Sequence, residues 1–125
     1  MQEKTKNIVT WVVSGLVGAA FLMSGSFKVI GDPNAAAENF ASFGLPSGMA
    51  LFIGICEMAG GVGVLVPRLA GLAASGLIVI MLGAVYNHLV HTPPAQALPP
   101  LILGLLCGFV VYSRGLAFGK AGGAA

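Results

Sequence analysis

The stretch Leu51-Phe-Ile-Gly-Ile-Cys-Glu-Met-Ala-Gly-Gly-Val-Gly-Val-Leu65 decides the fold. It stays apolar for about four helical turns and carries one carboxylate, Glu57, near its middle. Gly54, Gly60, Gly61 and Gly63 surround that acid. Burying an isolated carboxylate in so apolar a segment is costly. Glu57 needs a partner or a purpose, and the rest of the chain must supply one.

Outward from this stretch, the composition names the solvent. The chain has 125 residues, of which 57% are hydrophobic and 8% charged, against about 25% charged in a soluble domain. The mean hydropathy is +0.94. So few charges cannot cover a globular surface, so most of the chain is solvated by lipid, and the nineteen glycines suit helices that approach closely. A net charge of +2, with no lysine or arginine run and no basic-aromatic interleaving, excludes nucleic acid as a partner class. Cys56 and Cys107 lie in apolar segments outside any CxxC, CxxCH or zinc spacing. They read as small buried hydrophobes.

Four apolar segments, about 7–28, 47–66, 69–89 and 97–113, predict an all-α membrane protein. It is expected to be a four-transmembrane-helix bundle forming a single domain over 1–125, with a short amphipathic helix between helices one and two. Some twenty residues at about 1.5 Å each span about 30 Å, one hydrocarbon thickness. The first apolar run is longer than the 7–15 residues typical of a signal-peptide core and no small-x-small cleavage site follows, so it reads as a retained helix. Along it Ser14, Gly18, Phe21, Gly25 and Lys28 recur at spacings of 4, 3, 4 and 3 and form one narrow stripe. Trp11 falls near an interface. After it, Asp32-Pro33-Asn34 reads as a helix start, Ala36, Phe40 and Phe43 share a face, and Gly44 and Pro46 stop the helix. Pro99 and Pro100 fit the first turn of helix four, where Gly104 and Gly108 form a GxxxG face.

Basic residues set the orientation. With four spans, Lys4, Lys6, Arg68, Arg114 and Lys120 share one side, and Lys28 alone lies on the other. Both termini are therefore expected in the cytoplasm of a multi-pass protein, with both histidines facing outward.

Glu57 lies nine residues past Gly48, or about 14 Å below the outer interface. Lys28, Asn87 and His88 are nearer the surface. Direct Lys28–Glu57 pairing requires helix two to start deeper or the lysine to reach inward. Three roles stay open for Glu57: an acid that fixes helix register, an anchor for a ligand headgroup, or a proton carrier. His88 and His91 are three apart and supply two ligands with no obvious third, so no metal site is expected. Gly18, Gly25, Gly54 and Gly61 are the expected packing positions between helices one and two, and Gly104 and Gly108 those of helix four.

Taken in order, Phe21-Leu-Met-Ser-Gly-Ser-Phe-Lys28, Gly44-Leu-Pro46, Gly54-Ile-Cys-Glu57, Gly60-Gly61, Leu65 and a third helix ending near His88 resemble the DoxX-like family of small four-helix integral membrane proteins. The resemblance implies a membrane subunit linked to sulfur or quinone redox chemistry in a bacterial inner (plasma) membrane. It implies a quinone as the candidate cofactor. Some relatives are associated with oxidative-stress complexes, and distant animal relatives act as receptor-assembly factors. On this reading Glu57 and Lys28 hold a polar headgroup, with His88 or Asn87 as a further donor. The chain has no CxxC, flavin motif or haem histidine pair across helices, so an oxidoreductase-associated accessory subunit is expected rather than a stand-alone enzyme. The alternative is a non-catalytic assembly subunit with a membrane-protein partner or a second copy of itself. A small-molecule or proton-coupled carrier ranks last.

Overall fold

The computed structural model describes residues 3–31, 33–46 and 48–115. Their regular structure is helical, with no strand among the described residues. The first helix, α1, runs Glu3–Val29 over 27 residues, about 40 Å. It begins four residues before the expected Asn7 because a polar turn, with Glu3 first, extends the apolar span. Ser14, Gly18, Phe21 and Gly25 of the stripe are all buried. The second helix, α2, runs Pro33–Ser42. Its end is a Schellman closure: Leu45 N–H donates to Phe40 O, Gly44 N–H to Ala41 O, and Gly44 takes φ +76°.

The Glu57 segment forms α3, Gly48–Gly63, of 16 residues. It closes three residues before the expected end. Leu65 N–H donates to Val62 O and Val66 N–H to Gly63 O, which tightens the chain into turns ahead of Pro67. Proline disfavours helical backbone at the residue before it, so the apolar pattern outlasts the helix. The remaining helices are α4, Ala70–His91, and α5, Leu98–Arg114. They are joined through a 3-10 turn, Pro94–Ala97, that continues into α5. Three segments, Glu3–Val29, Ala70–His91 and Pro94–Arg114, are long and apolar enough to cross a membrane, and α3 is a shorter apolar helix.

The helices pack mainly as two pairs, α1 with α3 and α4 with α5. Gly18 faces Gly61 and Gly25 faces Gly54, so α1 and α3 run antiparallel with their backbones in contact. The core between the pairs holds Val17, Phe21, Val64, Leu77, Cys107 and Val110. At the other end of α1, Thr10 hydrogen-bonds Ser113, and Lys6 lies over the Tyr112 ring, so α1 starts where α5 finishes. The outward faces are apolar: Leu16, Phe27, Val79, Leu82 and Leu105 are all exposed. A surface of this kind is solvated by lipid tails, and this is a helical membrane protein.

Candidate functional site

Lys28 stands in the last turn of α1, where a cation suits the helix dipole. Helical side chains lean toward their own N-terminus, so Lys28 leans back along α1 and inward, away from the nearer helix end. Its Nζ donates to Ser24 Oγ at 2.8 Å, one turn earlier. It also donates to Glu57 Oε1 at 2.8 Å across the α1–α3 contact. Ser24 Oγ donates to the same Oε1 at 3.2 Å. Of the two conditions for direct pairing, the inward reach of the lysine is the one met.

The three side chains form a closed ring in which three of the four donors are committed. An ammonium has three N–H donors and a serine one. Two donors of Nζ and the single donor of Ser24 are committed within the ring. One N–H of Lys28 remains, and so does Oε2 of Glu57, because both bonds to the carboxylate end on Oε1. The Glu57 side chain is 4% exposed and that of Lys28 is 22% exposed. Taking such a pair out of water roughly offsets its mutual attraction, so the pair is not explained as glue for the fold.

His88 and Asn87 do not join this ring. His88 Nδ1 lies 3.2 Å from Thr92 Oγ1, and its ring meets Phe43 edge-on at 5.5 Å. His91 stacks on the same Phe43 at 5.6 Å. Asn87 Nδ2 donates to Gly83 O of its own helix. The histidines thus tie the end of α2 to the end of α4. Among the described residues no three His, Cys, Asp or Glu side chains gather as a metal site would require. The residue that sequence reasoning missed is Ser24; its signal is the four-residue spacing to Lys28, which sets both on one face of α1.

Four of the six packing glycines lie at the α1–α3 contact. A methyl group on Gly25 would sit 2.6 Å from Gly54 O, and one on Gly18 would sit 3.0 Å from Gly61 O. Helix α5 differs. A methyl on Gly104 would meet only the Met81 Cβ, at 3.5 Å, and one on Gly108 would meet nothing within 4 Å. An apolar groove of about 590 Å³ runs between α3 and α4 past Cys56, Gly60, Gly63, Leu72, Gly76 and Val79. It lies on a different face of α3 from Glu57, which turns toward α1.

Membrane-length apolar helices and an ion pair between helices define an integral membrane protein of the helical class. A model of the DoxX-like family matches residues 12–110. The chain belongs to the DoxX-like family, and the matched span contains Ser24, Lys28 and Glu57. No curated protein and no solved structure matches it.

Proposed function

We propose that this chain is the membrane subunit of a redox- or quinone-linked complex, in which Lys28 and Glu57 hold a polar headgroup. The observation that carries the reading is the ring of Lys28, Ser24 and Glu57, with one N–H and one carboxylate oxygen left over, at a lysine that keeps partial exposure. That donor set fits a quinone. Nζ of Lys28 would donate to a ring carbonyl, and Oε2 of Glu57 would accept from a ring hydroxyl of the reduced form. A bound quinone supplies two-electron, two-proton redox chemistry. The chain's own part is to hold the headgroup, exclude water and keep a proton acceptor at Oε2. The sequence carries no CxxC, flavin motif or haem histidine pair across helices, which favours an accessory subunit in this reading.

The same reading includes four crossings in one domain. The start of α1 lies beside the end of α5, which supports an even number of crossings with α3 as the fourth. The excess of Lys and Arg at the end shared by the termini supports a cytoplasmic location for both, in a bacterial inner membrane.

Native mass spectrometry of the chain, gently extracted from its own membrane, tests the headgroup reading. A quinone-mass adduct is expected on the wild type and is lost in Glu57→Gln and Lys28→Ala. An adduct retained in both variants overturns it. The open Gly108 face favours a second reading, a non-catalytic assembly subunit whose partner helix packs there. It predicts that Gly108→Leu releases a co-purifying protein and that Glu57→Gln does not.

A further inference from the structure

The end of the bundle farthest from Lys28 carries hydrogen-bond donors with nothing to bond. Arg114 closes α5 and is 5% exposed. Its guanidinium carbon lies 4.8 Å from the centre of the Trp11 ring. That contact answers part of the charge, but it leaves guanidinium N–H groups without an oxygen acceptor. Nε and Nη2 of Arg114 are buried without a hydrogen-bond partner. Together they form the side edge of the guanidinium, whose two parallel N–H bonds match two oxygens of a carboxylate or phosphate. Among the described residues the one ion pair is Lys28–Glu57, so no carboxylate answers Arg114.

Ser14 has the same unmet need. Its Oγ is fully buried and has no partner. Three other buried or half-buried hydroxyls turn back to the carbonyl four residues earlier, Thr10 to Lys6, Ser26 to Leu22 and Ser75 to Gly71, and Ser24 and Ser113 find side-chain partners. Ser14 does neither. It lies one turn inward from Thr10, and in projection it falls between Thr10 and Trp11. Thr10 bonds Ser113, the neighbour of Arg114, and Arg114 itself lies over the Trp11 ring. Lys6 stands over Tyr112 at 5.2 Å and adds a second cation. The cluster therefore offers several donors and two positive charges with no acceptor to meet them. Leaving such donors empty in a dry site costs stability comparable to what these contacts return.

We propose that this end of the bundle binds a phosphate oxyanion, with the Nε–Nη2 edge of Arg114 as its bidentate anchor, Ser14 as a further donor and Lys6 as the flanking cation. A phosphate suits the set better than a carboxylate because it keeps oxygens available for further donors while two are held on the arginine edge. The oxyanion is either the headgroup of an anionic lipid, which lies at this depth beside an interfacial tryptophan, or free phosphate. Apart from Ser14, the residues of the cluster fall outside the family-matched span 12–110, so the site belongs to this chain's own ends.

Trp11 is the single tryptophan of the chain, so its emission reports directly from the site. The full-length protein in a phosphate-free maltoside detergent is titrated with inorganic phosphate at constant ionic strength, and separately with phosphatidylglycerol. A saturable change in Trp11 emission is expected in at least one titration. Saturation with phosphatidylglycerol alone makes the source lipid, and saturation with inorganic phosphate makes it free phosphate; either supports the site. In Arg114→Gln the midpoint weakens about tenfold or more, and in Ser14→Ala about threefold. The midpoint is compared because removing the cation changes the emission itself, and native mass spectrometry counts the retained phosphate or lipid independently. Should Arg114→Gln lose its helical circular dichroism, Ser14→Ala carries the comparison. No saturable response of the wild type to either titrant overturns the proposal, as does a midpoint unchanged in both variants.

Discussion

Gly54 gives Lys28 its place: a methyl group at Gly54 would lie 2.7 Å from the Cβ of Lys28 and 3.2 Å from Gly25 O. The first of these neighbours is fixed to backbone and cannot swing away. The ion pair therefore depends on a missing side chain in the facing helix. Gly54→Ala is expected to push α1 and α3 apart and to destabilise the protein by about 1–3 kcal/mol. Gly108→Ala, where a methyl meets open space, is expected to stay within about 0.5 kcal/mol of the wild type. Unfolding in mixed micelles, followed by circular dichroism, checks both, and equal costs would remove the close-approach argument.

The two halves of the ion pair are not equivalent. Glu57 is nearly sealed, whereas Lys28 keeps a path to water. Lys28→Met strands a carboxylate in the bundle and is expected to cost about 3 kcal/mol. Glu57→Gln leaves a lysine that can turn outward, and the amide still accepts from Ser24, so the loss is expected to be about 1 kcal/mol. Combining the two substitutions should recover most of the Lys28→Met loss. A double-mutant cycle on unfolding free energy measures this, and strictly additive losses would mean that the pair contributes no coupling.

Ser24 and Ser26 look alike in the sequence but do different things. Ser26 Oγ donates at 2.6 Å to Leu22 O of its own helix, the usual fate of a helical serine. Ser24 instead accepts from Lys28 and donates to Glu57. Ser24→Ala is expected to cost about 1 kcal/mol and Ser26→Ala less than about 0.5 kcal/mol, read from the same unfolding curves. A reversed order would place the ring's third member elsewhere.

What the residues make legible follows from the range of the forces involved. The limits of α2 are readable because Pro33 and Gly44 act locally. The buried face of α1 is readable because Ser14, Gly18, Phe21 and Gly25 repeat at helical spacing. The early end of α3 is not, since the apolar pattern continues while Pro67 reshapes the backbone ahead of it. Nor does the sequence tell that His88 meets Phe43 and not Glu57. That depends on how α4 is rotated about its axis, which packing decides. Arg114 reads only as one more basic residue at a helix end until Trp11 is seen lying against it.

The crossing of α3 can be tested at one position. Helix α3 has 16 residues, or about 24 Å, short of a full hydrocarbon thickness of about 30 Å. Its glycine contacts with α1 nevertheless run antiparallel along both Gly18–Gly61 and Gly25–Gly54. On the proposed four-crossing arrangement α3 carries the chain back to the starting side, which puts Arg68, just past α3, with the N-terminus. Single cysteines at Thr5, Ala35, Arg68 and Gln96, in a Cys56→Ala, Cys107→Ala background, can be exposed to a membrane-impermeant maleimide in intact spheroplasts. Ala35→Cys and Gln96→Cys are expected to label from outside. Thr5→Cys and Arg68→Cys are expected to label only after lysis. Labelling of Arg68→Cys together with Ala35→Cys would mean that α3 enters the bilayer and leaves on the same side. Both termini would then have to be brought to one end by some other route than a fourth crossing, against the contact of Thr10 with Ser113.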